Sequence, residues 1–202
     1  MYKIIYKNIN DINKDDLLNF YQYIYNEKKK KIDKLKKETD KLVSILGEYL
    51  LAQLLKKYYN IDYKKVKFNY NKNGKPFISN YNIFFNISHS HNFAACIISD
   101  NECGIDIELV RPVNLNIINT FTNSNEKEYI LNNNADVYYR LFKIFTLKEA
   151  YLKMMGSKIT NIKNIKLIIN SNDIKCLDNN IIFFSKIDNN IIISISIKKS
   201  KV

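Results

Sequence analysis

Gly104-Ile-Asp106-Ile-Glu108 alternates isoleucine with acid, and Phe145-Thr-Leu-Lys148-Glu149-Ala-Tyr-Leu-Lys153 sets a glutamate and a lysine four positions apart. The first pattern has the period of a β-strand, which puts Asp106 and Glu108 on one face and Ile105 and Ile107 on the other. The second has the spacing of an α-helix, on which Glu149 and Lys153 share a face. Where such a strand and helix meet, three carboxylates can converge. That donor set suits a hard divalent cation, Mg²⁺ most naturally, which takes oxygen ligands and often bridges substrate phosphates. A lysine beside it could meet an anionic substrate. Alone, an acid pair on a strand is more often a solvated edge; the combination with the helical acid points to a site.

Outward from these segments the chain punctuates itself clearly. Tyr2 to Tyr6 reads as a strand, and Asp15 to Asn26 has helical spacing through Leu17, Leu18, Tyr21, Ile24 and Tyr25. A lysine-rich stretch follows, from Lys28 to Lys37, and then a helix with the apolar stripe Leu42, Ile45, Leu46, Tyr49, Leu50, Leu54, for which Thr39 or Asp40 is the expected N-cap. Gly47 inside that helix costs about 1 kcal/mol relative to alanine and hints at close approach by another backbone or a ligand. Val66–Tyr70, Ile83–Ser88, Phe93–Ser99 and Gly104–Leu109 are short β-rich runs. Helices are predicted near Ser124–Leu131 and from about Ala135 to Met155, and strands near Ile165–Ile169, Ile181–Ile187 and Ile191–Ile197, the last two joined by a turn at Asp188-Asn-Asn190. No internal sequence repeat is evident.

Composition bounds the function. At 202 residues and 46% hydrophobic content the chain can bury a sizeable core. Met1-Tyr-Lys-Ile-Ile-Tyr-Lys7 is too short an apolar stretch for a signal peptide, and no run approaches a membrane span. Cys96, Cys103 and Cys176 are odd in number and lack metal-ligand spacing, so reduced thiols in a cytoplasmic protein are expected. The net charge of +12 raises encounter rates with anionic molecules. Over-use of Lys, Asn and Ile, whose codons are AT-rich, supplies part of that basicity without any partner. No aromatic-interleaved basic motif of a nucleic-acid-binding type is present. His89 and His91 sit two apart, on one face of a strand, but no third ligand for zinc lies near them.

Four motifs, Asn73-Gly-Lys-Pro76, Phe85-Asn-Ile-Ser-His89-Ser90, Gly104-Ile-Asp-Ile-Glu108 and Phe145-Thr-Leu-Lys-Glu-Ala-Tyr-Leu-Lys153, stand in order and spacing resembling the 4′-phosphopantetheinyl transferases, of the larger, monomeric, surfactin-synthetase-activating type. The resemblance covers nearly the whole chain. It implies an α+β fold of two pseudo-symmetric lobes, an N-terminal one over 1–103 and a C-terminal one over 104–202, with the cofactor in the cleft between. It further implies Mg²⁺-dependent (Mn²⁺ is an alternative) transfer of phosphopantetheine from coenzyme A to a serine of an apo carrier protein of acyl, peptidyl or polyketide type, leaving adenosine 3′,5′-bisphosphate. By motif position Asp106, Glu108 and Glu149 would hold the metal. Glu149 would also be the general base, directly or through a metal-bound water, and Lys153 would steady phosphate charge. Ser88 and His89 would meet coenzyme A, as would Gly74, Lys75 and Pro76 in a loop against the adenine and 3′-phosphate. Lys28 and Lys31 would reach its phosphates, and Ser44 would join them, with Lys41 a further candidate. Phe145 stands where the family usually has tryptophan and keeps the apolar anchor; Val43 replaces a common basic residue; Gly156-Ser-Lys-Ile159 keeps only the glycine of its loop. Two other readings remain: a basic nucleic-acid-binding module, which leaves the clustered acids without a role, and a non-catalytic coenzyme A- or carrier-binding relative, against which all three metal-ligand positions are filled.

Overall fold

In the computed structural model, which describes residues 1–132, 134–170 and 173–200, the chain divides into two units, Met1–Glu102 and Cys103–Val202. Both run through the same order of elements: one strand, three helices, then four strands. In the first these are β1 (Tyr2–Asn8), α1 (Lys14–Tyr21), α2 (Asn26–Asp33), α3 (Glu38–Tyr59), β2 (Phe68–Tyr70), β3 (Pro76–Ile78), β4 (Phe84–Ser90) and β5 (Phe93–Ser99). In the second they are β6 (Cys103–Leu109), α4 (Ile118–Phe121), α5 (Ser124–Leu131), α6 (Val137–Met155), β7 (Leu167–Asn170), β8 (Asp173–Cys176), β9 (Ile181–Asp188) and β10 (Ile191–Lys198). The sheets match as well. Each unit has a three-stranded sheet, β1-β5-β4 and β6-β10-β9, with its last strand in the centre and antiparallel to both neighbours, and a separate two-stranded hairpin, β2-β3 and β7-β8. The pseudo-symmetry lies in this topology and leaves no trace as a sequence repeat.

The long third helix of each unit covers its sheet. α3 buries Leu46, Leu50, Leu51 and Leu55, all at most 0% exposed, each worth about 1.5–3 kcal/mol of transfer free energy. It ends at Asn60, whose left-handed φ of 52° lets its N–H return to the Leu55 carbonyl. α6 ends the same way at Gly156, φ 61°, whose N–H reaches the carbonyls of Leu152 and Lys153. Gly47 does mark a close approach, but by a side chain rather than a backbone or ligand. A Cβ there would stand 2.6 Å from Ile87 Cγ2 on β4.

Several expectations are corrected. The helix expected over Asp15–Asn26 is broken: α1 stops at Tyr21, and the lysine-rich stretch forms its own helix, α2. Tyr25 is extended there (φ −67°, ψ 151°) because its ring stacks on Phe68 at 4.3 Å, while Lys29 Nζ and the Gln22 amide donate to the carbonyls of Gln22 and Asn19. α3 starts at Glu38 with Lys37 as N-cap and no side-chain capping bond, in place of Thr39 or Asp40. Glu38 is instead paired with Lys14 at 2.6 Å, and Glu38 and Asp40 complement the helix dipole. His91 shares no strand face with His89. β4 ends at Ser90, and His91 takes φ 53° in the two-residue turn to Phe93. β8 had no counterpart in the sequence reading. Among the described residues no helix is long and apolar enough to cross a membrane.

Candidate active site

β6 supplies the acids. Its register against β10 sets Asp106 opposite Ser194 and Glu108 opposite Ile192, so Gly104, Asp106 and Glu108 share the face that meets α6. Gly104 makes that meeting possible. A Cβ on it would lie 2.0 Å from the Ala150 carbonyl oxygen and 2.5 Å from the Met154 nitrogen, so only glycine lets the helix backbone approach this closely. Asp106 is thereby brought to Lys153, whose Nζ donates to Asp106 Oδ1 at 2.6 Å, with the carboxylate side chain 4% exposed.

Glu149 lies one turn before Lys153 on the same helix face. Its Oε1 is buried and accepts no hydrogen bond. Burial pushes its carboxyl up to about 7; Lys153 acts in the opposite direction, and the negative charges of Asp106 and Glu108 push it further up. Glu149 on α6 thus feels both strand carboxylates across the α6–β6 contact, as the strand and helix periods predict. Among the described residues, however, no three His, Cys, Asp or Glu side chains gather closely enough to hold a metal ion. The donor set itself suits one. It offers three carboxylates beside Lys153, with a buried oxygen lacking a hydrogen-bond donor on both Asp106 (Oδ2) and Glu149 (Oε1), and a hard divalent cation would relieve that concentration of negative charge.

Sequence reasoning missed what holds this helix. Lys148, 0% exposed, donates to Glu126 Oε2 at 2.7 Å and to the Phe121 carbonyl at 2.8 Å. Glu126, equally buried, also receives the Asn123 N–H through Oε2 and the Leu167 N–H through Oε1. This ion pair joins α4, α5, β7 and α6 beside Glu149. Desolvation pulls the Lys148 ammonium below its ordinary range while Glu126 opposes the shift. The one local signal was the capping box Asn123-x-x-Glu126. Phe145 anchors the same helix edge-on against Phe121, ring centroids 5.4 Å apart. Thr146 Oγ1 meets Ser194 Oγ at 2.6 Å, tying α6 to β10.

The first unit carries a separate cavity of about 440 Å³, lined by Lys28 and Lys31 of α2, Asp40, Val43 and Ser44 of α3, and Leu35, His89 and His91. Four of the expected coenzyme A contacts thus come together: Lys28, Lys31, Ser44 and His89. Ser88, Gly74, Lys75 and Pro76 do not line it. Ser88 is buried. Gly74 (φ 84°) and Lys75 form the β2–β3 turn, braced by Asn71 Oδ1, which receives the N–H groups of Asn73 and Lys75. Lys31 Nζ sits 4.2 Å over the Tyr70 ring. Lys28 is held from below by Glu48, 3.5 Å away and 3% exposed, which also accepts from Tyr63 O–H at 2.7 Å. Burial raises the pKa of Tyr63, and the Glu48 charge raises it further. Glu48 is a further residue that sequence reasoning missed, an acid set within the apolar stripe of α3.

A family model described as 4′-phosphopantetheinyl transferase, N-terminal, matches residues 12–101, and one described as 4′-phosphopantetheinyl transferase superfamily matches residues 102–193. Among curated proteins, the 4′-phosphopantetheinyl transferase gsp of Aneurinibacillus migulanus is 36% identical over 56% of this chain and 48% of its own length. The 4′-phosphopantetheinyl transferase Sfp of Bacillus subtilis (strain 168) is 28% identical over 70% of this chain and 64% of its own. The 4′-phosphopantetheinyl transferase psf-1 of Bacillus pumilus is 31% identical over 58% of this chain and 51% of its own. The chain thus spans about half to two thirds of the length of these relatives. With each of its two topologically matched units falling to a model of the same family, the chain belongs to the 4′-phosphopantetheinyl transferase superfamily, alongside gsp, Sfp and psf-1.

Proposed function

We propose that this protein transfers the 4′-phosphopantetheine group of coenzyme A to a serine hydroxyl of an apo carrier protein of acyl, peptidyl or polyketide type, with Mg²⁺ (or Mn²⁺) held by Asp106, Glu108 and Glu149. The observation that carries this reading is the close approach of α6 to β6 at Gly104, which brings the helix face of Glu149 and Lys153 onto the strand face of Asp106 and Glu108, in a chain matched over both units by the family. When bound, the cation would neutralise pyrophosphate oxygens and polarise the phosphorus under attack. Serine Oγ forms the new O–P bond, its proton passes to Glu149, and the bond to the adenosine-side phosphate breaks. The electron pair leaves on adenosine 3′,5′-bisphosphate. Lys153, at the solvent end of the face, would meet charge on the transferring or leaving phosphate. In the first unit Lys28, Lys31, Ser44 and His89 offer donors to phosphate, with Lys28 oriented by buried Glu48; the Gly74-Lys75-Pro76 turn would add contacts to the adenosine end, and Ser88 would support His89 from the strand. We infer a cytoplasmic setting from an odd number of cysteines without metal-ligand spacing, and take the working form to be a monomer.

Titrating Mg²⁺ against carrier modification tests the metal assignment. Asp106→Ala is expected to raise the half-saturating Mg²⁺ concentration by about tenfold or more, as removal of one oxygen ligand should. An unchanged midpoint and rate would remove Asp106 from the site. A second expectation concerns the +12 charge. Raising salt should raise the carrier KM steeply, since charges on the protein surface reach only about 8 Å at physiological ionic strength. The KM for coenzyme A should change less. Tight, salt-sensitive retention of an oligonucleotide beside a salt-insensitive carrier KM would favour the nucleic-acid reading of the charge.

A further inference from the structure

We infer that Lys153 is a built-in counter-cation of the acidic site, which a divalent cation must displace from Asp106 and which is thereby released toward phosphate. The inference rests on the reading of Asp106 as a metal ligand given above. Its direct observation is the 2.6 Å ion pair between Lys153 Nζ and Asp106 Oδ1. The two partners are not equally fixed. Asp106 is a strand residue inside the β6–β10 ladder, 4% exposed at its side chain. Lys153 stands in the last turn of α6, 29% exposed at its side chain, on a flexible four-carbon stem. The lysine is therefore the member that moves.

Charge decides when it moves. Asp106 and Glu108 on β6 and Glu149 on α6 place three carboxylates beside the Lys153 ammonium, which pairs with Asp106 Oδ1. Lys153 holds Asp106 Oδ1 and Oδ2 accepts no hydrogen bond, and a divalent cation on either oxygen would repel the ammonium, so metal and lysine compete for Asp106. Once displaced, the ammonium gains most from an anion placed over the site, which makes metal binding and phosphate binding mutually favourable through one side chain. A lysine that merely positioned Asp106 for the metal would act in the opposite direction, since its removal would loosen the ligand.

The two roles separate in a binding measurement that needs no turnover. Mn²⁺ binding to the full chain is followed by electron paramagnetic resonance without coenzyme A or carrier, for the wild type, Lys153→Met, Lys153→Arg and Asp106→Asn. Lys153→Met is expected to bind Mn²⁺ about tenfold more tightly than the wild type, the size of one partly buried ion pair released, and Lys153→Arg to stay within about twofold because it keeps the charge. Lys153→Gln serves as a second neutral variant should the methionine impair folding. Equal or weaker Mn²⁺ binding by both neutral variants, with the wild type binding and Asp106→Asn not, overturns the counter-cation role and leaves the metal reading standing. Absence of Mn²⁺ binding in every variant overturns both.

Discussion

Glu149→Gln is expected to lower carrier modification by at least about a hundredfold at saturating Mg²⁺ while leaving the fold intact, the range that loss of a general base commonly produces. Glutamine keeps the shape of the side chain and removes the charge that would face the metal, together with the proton acceptor. Retention of more than about a tenth of wild-type turnover would remove Glu149 as the base. The same substitution has a second, opposite signature in metal-free protein. The folded Glu149 carboxyl is pushed up to about 7 by burial, against the ordinary value of 4.5. Between those two values the native state holds a proton that the unfolded chain has released, so wild-type stability falls as pH rises through that window. Glu149→Gln carries no such titration. Its thermal midpoint in EDTA should therefore pull ahead of the wild type on going from pH 4.5 to pH 7, and added Mg²⁺ should close the gap from the wild-type side. A constant difference across that pH range would contradict the burial argument.

Lys148→Met should destabilise the protein by about 3–5 kcal/mol, because it leaves the Glu126 carboxylate fully buried with no cation. The neighbouring hydrogen bonds make the charge hard to neutralise by rearrangement. Glu126 is committed to the N–H groups of Asn123 and Leu167, so turning it outward would strand two backbone donors. Adding Glu126→Gln to the methionine variant removes the charge but keeps an acceptor for those donors, and should recover more than half of the loss. Urea unfolding at constant m-value measures both. A loss below about 1 kcal/mol for Lys148→Met would mean the pair is not the anchor described above.

The parts of this molecule written in local periodicity could be read from the chain. Ile191–Ile197 alternates and is the buried central strand β10; Asp106 and Glu108 alternate with isoleucines and do share a face; Leu42 to Leu54 repeats at helical spacing and forms α3. What depends on distant partners could not. The Lys28–Lys31 run has too little apolar periodicity to declare itself a helix, and α2 is made separate by Tyr25 stacking on Phe68, far away in sequence. Lys148 and Glu126 look like two ordinary surface charges until α5 and α6 pack. Gly104 looks like a permissive residue before a strand, and only the backbone of Ala150 and Met154 reveals why no Cβ fits. His91 reads as a strand partner of His89 because the Ser-His-Ser-His alternation runs on past the end of β4, where His91 takes a left-handed φ of 53°. At the candidate site, motif spacing pointed to Asp106, Glu108, Glu149 and Lys153 as residues on one strand face and one helix face, but the ion pair between Asp106 and Lys153 is a tertiary fact.

Intact-mass spectrometry of purified apo carrier proteins after incubation with this protein, coenzyme A and Mg²⁺ tests the central claim most directly. The account predicts that at least one acyl, peptidyl or polyketide carrier gains the mass of one phosphopantetheine group on its serine, and that EDTA or Glu149→Gln prevents the gain. Carriers of all three types left at their apo mass, with the folded protein and Mg²⁺ both present, would contradict it.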